Sequence, residues 1–129
     1  MDNSLTDEQY KLRNKILLFC NKRDTLYQDI QVFIEENFDI EVCNFNNNGI
    51  ENKIGEAELI CKHLLVCKLL EIPKDKSLEL FKEYSTETNI DLHGGKKIRH
   101  PNIVKLFLGN MEDITFSKPI DELIKIKEK

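Results

Sequence analysis

One stretch, from Gly55 to Ile72, most constrains what this chain can fold into. It carries a denser run of apolar side chains than any other segment, and Pro73, which cannot continue a helix, follows it. At about 100° per residue its apolar side chains fall on every side of a helix, so no broad polar face remains. The pattern predicts a central helix over 55–72, roughly 25 Å long, with other elements packed around it.

Charge and length exclude several classes of protein. Four charged side chains interrupt the central stretch, which is too short and too charged to span a membrane: Glu56, Glu58, Lys62 and Lys68. The 129 residues favour one domain. The formal net charge of −4 argues against a nucleic-acid partner, because such proteins usually carry a basic excess. Residues 1–15 lack the features of a signal peptide, so we expect a cytoplasmic protein or one exported by another route.

The four cysteines show no spacing typical of a metal site. Cys20, Cys43, Cys61 and Cys67 form no Cys-x-x-Cys pair, and each lies among apolar residues. In a chain without a secretory signal this pattern favours buried free thiols over disulfides or zinc. We expect four thiols, no metal and no cofactor.

Helical patterns precede the central helix. Thr6 and Gln9 form a capping box, and apolar residues at helical spacing continue to about residue 21. A second helix is predicted to end near Asn37, with Asp24 or Thr25 as its cap.

Strand patterns follow the second helix. Alternating side chains over 40–45 predict a short strand, and Asn48-Gly49 predicts a turn, because both residues tolerate positive φ. Residues 50–53 read as a return strand, and residues 114–116 as a further strand that could pair with 40–45.

Shorter helices are predicted after the central one. They cover residues 75–84, residues 101–109 and a last turn after Pro119, and residues 125–129 are expected to fray. The whole pattern predicts an α+β fold: a mainly helical single domain over 1–129 with a central buried helix and a small antiparallel sheet of two or three strands.

A long segment without periodicity, from Ser85 to Pro101, separates two of these helices. Loops of this length in a compact domain are commonly functional or mobile. It contains Gly94-Gly95 followed by three basic residues, Lys96, Lys97 and Arg99. We expect it to be mobile and to form the functional edge.

Short motifs occur in a fixed order between Phe33 and Phe116. They are Phe38-Asp39, Phe45, Asn48-Gly49, Asn52 to Gly55, Glu58 with Cys61-Lys62, Phe81 before Tyr84, His100, Asn102-Ile103, and Ile114 with Phe116. In this order the chain resembles the HopJ type III effector family over about 33–116, with residues 1–32 adding N-terminal helices. The resemblance implies a bacterial protein that acts in the cytosol or after delivery to a host; it implies no reaction mechanism.

The chain also departs from the family pattern. Ala57 stands where the family has Asn, Leu59-Ile60 replace Gly-Ser, Pro101 replaces Gln, Val104 replaces Arg, and Asn110-Met111 replace Gly-Trp. A site that depended on that Ser, Arg or Trp could not operate unchanged. The resemblance therefore implies the fold more strongly than the surface chemistry.

Glu58, Cys61 and His100 are the candidate catalytic residues. Residues three apart on a helix are neighbours, so Glu58 lies beside Cys61. A cysteine nucleophile needs a histidine within hydrogen-bonding reach, and His100 can approach from the long segment. Such a cleft would suit a hydrolase or a transferase. In the structural alternative, Cys61 packs in the core, Glu58 faces solvent and His100 braces the loop.

His63 and Cys67 are four residues apart, so they could share a metal ion on one helical face. Two ligands do not make a site, and we favour a half-buried core histidine instead.

The candidate binding residues are Asn52, Lys96, Lys97, Arg99 and Asn102. The basic run after the two glycines could dock an acidic partner or cradle a phosphate. The alternatives are a solvated loop for the basic run and, for Asn52, a role in capping the central helix region or in closing the turn after Gly49.

We therefore expect a HopJ-like protein that acts by binding a protein partner, without nucleic acid or membrane. The alternative is a small enzyme with the Cys/His/Glu cleft. Burial of the Cys61 sulfur would count against the enzyme.

Overall fold

Helix α3 (Glu58–Leu69) is the central element of the fold, as the sequence predicts. Its buried side chains surround its axis: Cys61, His63, Leu64, Leu65, Val66 and Cys67. It is shorter than the predicted 55–72, because Gly55 (φ 92°) and Ala57 (φ 51°) adopt left-handed backbone conformations before its first turn. The buried hydrophobic cluster extends from this helix to both ends of the chain.

The computed structural model describes residues 5–84, 87–88 and 100–128. The predicted mobile loop over 85–101 therefore lies almost entirely outside the described residues. The other helices are α1 (Asp7–Asn21), α2 (Tyr27–Asn37), α4 (Lys74–Glu79), a 3-10 helix (Lys82–Tyr84), α5 (Pro101–Leu108) and α6 (Ile120–Leu123). The strands are β1 (Phe38–Ile40), β2 (Phe45–Asn47), β3 (Ile50–Asn52), β4 (Ile114–Phe116) and β5 (Ile124–Ile126).

The strands form two small antiparallel sheets. One has the order β3-β2-β4, with Phe45 opposite Phe116, and the other pairs β1 with β5, with Phe38 opposite Ile126. The α+β fold with small antiparallel sheets is thus confirmed. The single predicted strand over 40–45 is wrong, because residues 41–44 are not in a strand and separate β1 from β2.

The frayed C-terminal tail is also a wrong prediction. Ile124 and Ile126 alternate with the exposed Lys125 and pair with β1, and Ile124 is buried. The N–H of Lys127 donates to the carbonyl oxygen of Asn37 at 2.9 Å, which extends the attachment beyond β5. The tail is rich in lysine, yet it forms a strand whose apolar side chains, Ile124 and Ile126, pack in or against the core.

The N-terminal helices confirm one predicted cap and correct another. The Thr6–Gln9 capping box is formed at α1. Neither Asp24 nor Thr25 caps α2: its N-cap is Leu26, and the hydroxyl of Thr25 donates to the carbonyl oxygen of Phe19.

The four cysteines are buried free thiols, as the sequence predicts. Cys61 and Cys67 lie on α3, Cys20 lies on α1, and Cys43 lies in the segment that connects β1 to β2.

Lys82 holds the end of α1. Its ammonium donates to the carbonyl oxygens of Phe19, Cys20 and Lys22 at 3.2, 2.9 and 2.6 Å. The last carbonyls of a helix have no partner within it and carry the negative end of its dipole, so a cation there supplies both hydrogen bonds and charge. Lys82 therefore ties α1 to the segment that follows α4.

We expect Lys82→Met to lower the free energy of unfolding by about 1–3 kcal/mol, because a buried apolar tip leaves these carbonyls without a charged donor. Urea denaturation measures the change. Lys15→Met, at an exposed position on α1, is the matched control and should change stability by about 0.5 kcal/mol or less. Equal effects of the two substitutions would contradict the capping role.

Candidate functional site

A pocket of about 390 Å³ lies where the starts of α2, α3 and α5 meet. It has aromatic and aliphatic walls with an imidazole and a carboxylate among them. Its lining residues are Tyr27, Gly55, Ala57, Glu58, Leu59, Ile60, Tyr84, His100 and Ile103. We call this the tyrosine pocket. It brings together two of the three predicted catalytic residues, Glu58 and His100.

Tyr27 forms the buried wall of the tyrosine pocket. It is 4% exposed, and its hydroxyl donates to the carbonyl oxygen of Leu59 at 3.3 Å. Its backbone N–H donates to Glu83 Oε1 at 2.6 Å. Its ring contacts that of Tyr84, with the centroids 5.7 Å apart. These contacts fix Tyr27 between α3 and the 3-10 helix, so the wall is set by packed elements on both sides.

His100 stands at the N-terminal end of α5 and faces the same pocket. Its Nε2 lies 2.5 Å from Glu87 Oε2, and its ring centroid lies 4.9 Å from that of Tyr84. The carboxylate and the tyrosine together fix the direction of the imidazole. An imidazole held in this way can donate a hydrogen bond or exchange a proton with a bound group.

Ala57 lies at the rim of the pocket and has a strained backbone conformation. Its φ of 51° lies in the left-handed region, which disfavours most residues with a Cβ but is tolerated by asparagine. The family resemblance places Asn at this position, so the structure gives a physical reason for that family residue. Ala57 also accepts the N–H of Cys61 at 2.9 Å, which begins the hydrogen bonding of α3.

Cys61 is separated from the pocket that Glu58 and His100 line. Its side chain is 1% exposed, and its Sγ lies 3.9 Å from the carbonyl oxygen of Cys43. Burial raises the pKa of the Cys61 thiol to about 11. A thiol that is buried and protonated near neutral pH is a poor nucleophile, so the geometry argues against the predicted catalytic role of Cys61.

Asn52 and Asn102, predicted as binding residues, contact each other. Asn52 Nδ2 donates to Asn102 Oδ1 at 3.0 Å, and Asn102 Nδ2 donates to Asn52 Oδ1 at 3.1 Å. Asn47 Nδ2 donates to the backbone oxygen of Asn102 at 2.8 Å and to its Oδ1 at 3.1 Å. We call Asn47, Asn52 and Asn102 the asparagine cluster. It joins the β2–β3 hairpin to the first turn of α5.

A second set of amide contacts joins the same hairpin to the other end of α5. Asn48 Oδ1 accepts the N–H of Asn110 at 3.0 Å, and Asn48 Nδ2 donates to the carbonyl oxygen of Asn110 at 3.1 Å. Gly109 allows this approach, because a Cβ built there would lie 2.0 Å from Asn48 Oδ1. Both ends of α5, and hence His100, are therefore positioned by the hairpin.

The remaining predicted groups are the possible metal pair His63–Cys67 and the three basic residues of the long segment. His63 is fully buried rather than half-buried, and it meets Cys67 only through Ser77. Within the described part of the chain, no group of three or more His, Cys, Asp or Glu residues could hold a metal ion. Lys96, Lys97 and Arg99 lie outside the described residues.

Tyr27 and Tyr84, which line the pocket, and Glu87, which contacts His100, are not among the site residues predicted from the sequence. Tyr84 belongs to the Phe81–Tyr84 motif that contributes to the family resemblance, but that motif assigns it no role in a site. Tyr27 carries no local signal beyond an aromatic side chain at a helix start, and Glu87 lies in a segment without periodicity.

The fold defines a class: a mainly helical α+β domain with a buried central helix and two small antiparallel sheets. A family model described as HopJ type III effector protein matches residues 12–120, and the chain belongs to this family. A crystal structure described as the unknown function protein VPA0580 has a TM-score of 0.69 and 21% sequence identity, covering 98% of this chain and 97% of that one. This likeness shows the shared fold. Among curated proteins, none matches.

In the part of the chain that the structure describes, no helix has both the length and the apolar character to cross a bilayer.

We expect Asn102→Ala to destabilise the protein by about 1–3 kcal/mol, because it leaves the buried amides of Asn47 and Asn52 without their side-chain partner. Asn102→Asp keeps the oxygen that accepts from both amides but places a second oxygen against Asn52 Oδ1, so it should destabilise the protein as well. Thermal or urea denaturation measures the difference. An Asn102→Ala variant as stable as the wild type would show that the asparagine cluster does not hold α5.

Proposed function

We propose that this HopJ-family protein acts by binding an acidic segment of a partner protein in the tyrosine pocket. In keeping with the family description, it would be a bacterial protein that works in the cytosol or after delivery into a host cell by a route that needs no signal peptide. The observation that carries the binding role is the convergence of Tyr27, Leu59, Tyr84 and His100 on one concave surface.

The walls of the pocket favour a partner that inserts an apolar or aromatic side chain. Tyrosines supply contact area with few rotatable bonds, so fixing them on binding costs little conformational entropy. Leu59 is 48% exposed at the rim, and Ile54, just before the pocket segment, is 64% exposed. Apolar side chains left in water beside a concave site are typical of a surface that a partner covers.

Charge favours an acidic segment next to that apolar anchor. Lys96, Lys97 and Arg99 come within four residues before His100 in the sequence, and His100 lines the pocket. Cations at the edge of an interface mainly increase the rate of association and select the sign of the partner. We propose that the three basic residues attract the acidic segment and that His100 contacts it inside the pocket.

An enzyme is the second candidate function. Its support is the pair His100–Glu87, because an oriented imidazole beside Glu58 in one pocket has the groups needed for acid–base chemistry. In this version of a hydrolase or transferase, His100 and Glu58 would act without Cys61. Turnover that is lost in Glu58→Gln would favour it.

A photo-crosslinking amino acid at position 59 identifies what occupies the pocket, and the same group at exposed Leu18 on α1 is the matched control. We expect position 59, and not position 18, to crosslink to a partner segment rich in Asp or Glu. A synthetic peptide with that segment's sequence then serves as the binding probe, measured by calorimetry at low and high salt.

The triple variant Lys96→Ser, Lys97→Ser, Arg99→Ser should weaken binding of this peptide about tenfold or more and reduce its salt dependence. Its free energy of unfolding should stay within about 0.5 kcal/mol of the wild type, as for ordinary surface changes. Unchanged affinity and unchanged salt dependence in the triple variant would reject the acidic-partner proposal.

A further inference from the structure

His63 is an ionisable side chain in the middle of the core. It is 1% exposed, and its ring stacks on Phe81 with the centroids 4.0 Å apart and the planes at 23°. Its other neighbour in the stack is Tyr27, at 5.7 Å and 29°. Tyr27 is also the buried wall of the tyrosine pocket. The stack therefore connects a buried imidazole directly to the proposed binding site.

The hydrogen bonds of His63 indicate which nitrogen carries the proton. Its Nε2 lies 3.3 Å from Ser77 Oγ, and the Ser77 hydroxyl donates to Cys67 Sγ at 3.3 Å. Because that hydroxyl proton is directed at the sulfur, Ser77 accepts from Nε2–H. Nδ1 then holds the lone pair of the neutral ring. Nδ1 is buried and has no hydrogen-bond partner among the residues that the structure describes.

Among the residues that the structure describes, no charged side chain shifts the pKa of this ring. The titratable groups that face it are the Tyr27 phenol on α2 and the Cys67 thiol on α3, and Ser77 on α4 and Phe81 complete its surroundings. Burial raises the pKa of Tyr27 and raises the pKa of Cys67 to about 12, so both are neutral at physiological pH. Burial lowers the pKa of His63 to about 3, although a hydrogen bond with the Ser77 backbone acts in the opposite direction.

We propose that His63 makes the tyrosine pocket acid-sensitive: protonation at Nδ1 expels the ring from its stack and releases Tyr27 from the pocket wall. The link to partner binding rests on the function proposed above, whereas the release of Tyr27 does not.

The direction of the effect follows from the site of protonation. A proton taken from solvent by Nδ1 would create a buried N–H donor with no acceptor and a buried charge with no counter-ion, both of which are costly. Conformations in which the ring has left the stack expose it to water, where its pKa returns to about 6.5. Acid therefore favours the opened conformations. Stability is complete above about pH 6.5 and is lost as the pH falls from there toward 3.

The size of the effect follows from these two pKa values. Between pH 7.5 and 5.5 the opened ring passes from about one-tenth to about nine-tenths protonated, while the stacked ring stays neutral. The ratio of closed to opened protein should therefore fall about tenfold over this interval.

Amide hydrogen exchange measures this ratio without any partner. The reporters are the N–H of Tyr27, which donates to Glu83, and the N–H of Cys61, which donates to Ala57 at the pocket rim. We expect the protection factors of both amides to fall about tenfold from pH 7.5 to 5.5. In His63→Phe, which keeps a flat ring in the stack, this fall should be absent. An equal fall in both proteins would overturn the proposal.

A nitrogen NMR titration of the wild-type His63 ring keeps the proposal testable if His63→Phe does not fold. We expect a neutral ring with the proton on Nε2 down to at least pH 5. Titration of the folded ring near pH 6.5 would overturn the proposal. Failure of the acidic peptide to bind, with the exchange result intact, would reject the proposed function alone.

Discussion

Burial of α3 around most of its axis, between Cys61 and Cys67, is the constraint on which the rest of the structure depends. Few residues in a small domain can be surrounded completely, and every element that covers α3 must turn an apolar face toward it. Leu64 and Leu65 are 1% and 0% exposed. Strand β5 near the C-terminal end contacts α3 and contributes to this cover, which explains why a lysine-rich tail is ordered. It also explains why the accessible chemistry lies at the start of α3 rather than along it.

Amide hydrogen bonds determine how the tyrosine pocket is completed. The asparagine cluster holds the first turn of α5. At the other end of this helix, Asn48 binds Asn110, two residues after the last helical residue. Because one hairpin holds both ends, α5 has little freedom to shift, and His100 is delivered to the pocket in a defined position. A network of this kind is strong only when every member is satisfied, so its energetic value lies in avoiding unpaired buried amides.

Periodicity was sufficient to predict α3, the buried thiols and the α+β class, because these depend on which side chains avoid water. Periodicity failed to predict β5, since Lys125 and Lys127 give the segment around Ile124 and Ile126 the composition of an exposed tail. It also failed to separate Cys61 from Glu58: helical spacing makes them neighbours, but only tertiary packing decides which of the two faces a pocket. The sequence could not identify Tyr27 as a pocket residue, because its role arises from contacts with Leu59 and Glu83, which are 32 and 56 positions away along the chain. The roles of Lys96, Lys97 and Arg99 remain predictions.

Native-state alkylation tests most directly the claim that α3 is enclosed and that function belongs to the pocket at its start. Iodoacetamide would be applied to the folded protein at neutral pH, and modification of each of the four cysteines followed by mass spectrometry. We expect Cys61 to react as slowly as Cys67, with both reacting fully only after unfolding, because both cysteines are 1% exposed. Rapid and selective modification of Cys61 in the folded protein would contradict it and restore Cys61 as a candidate nucleophile.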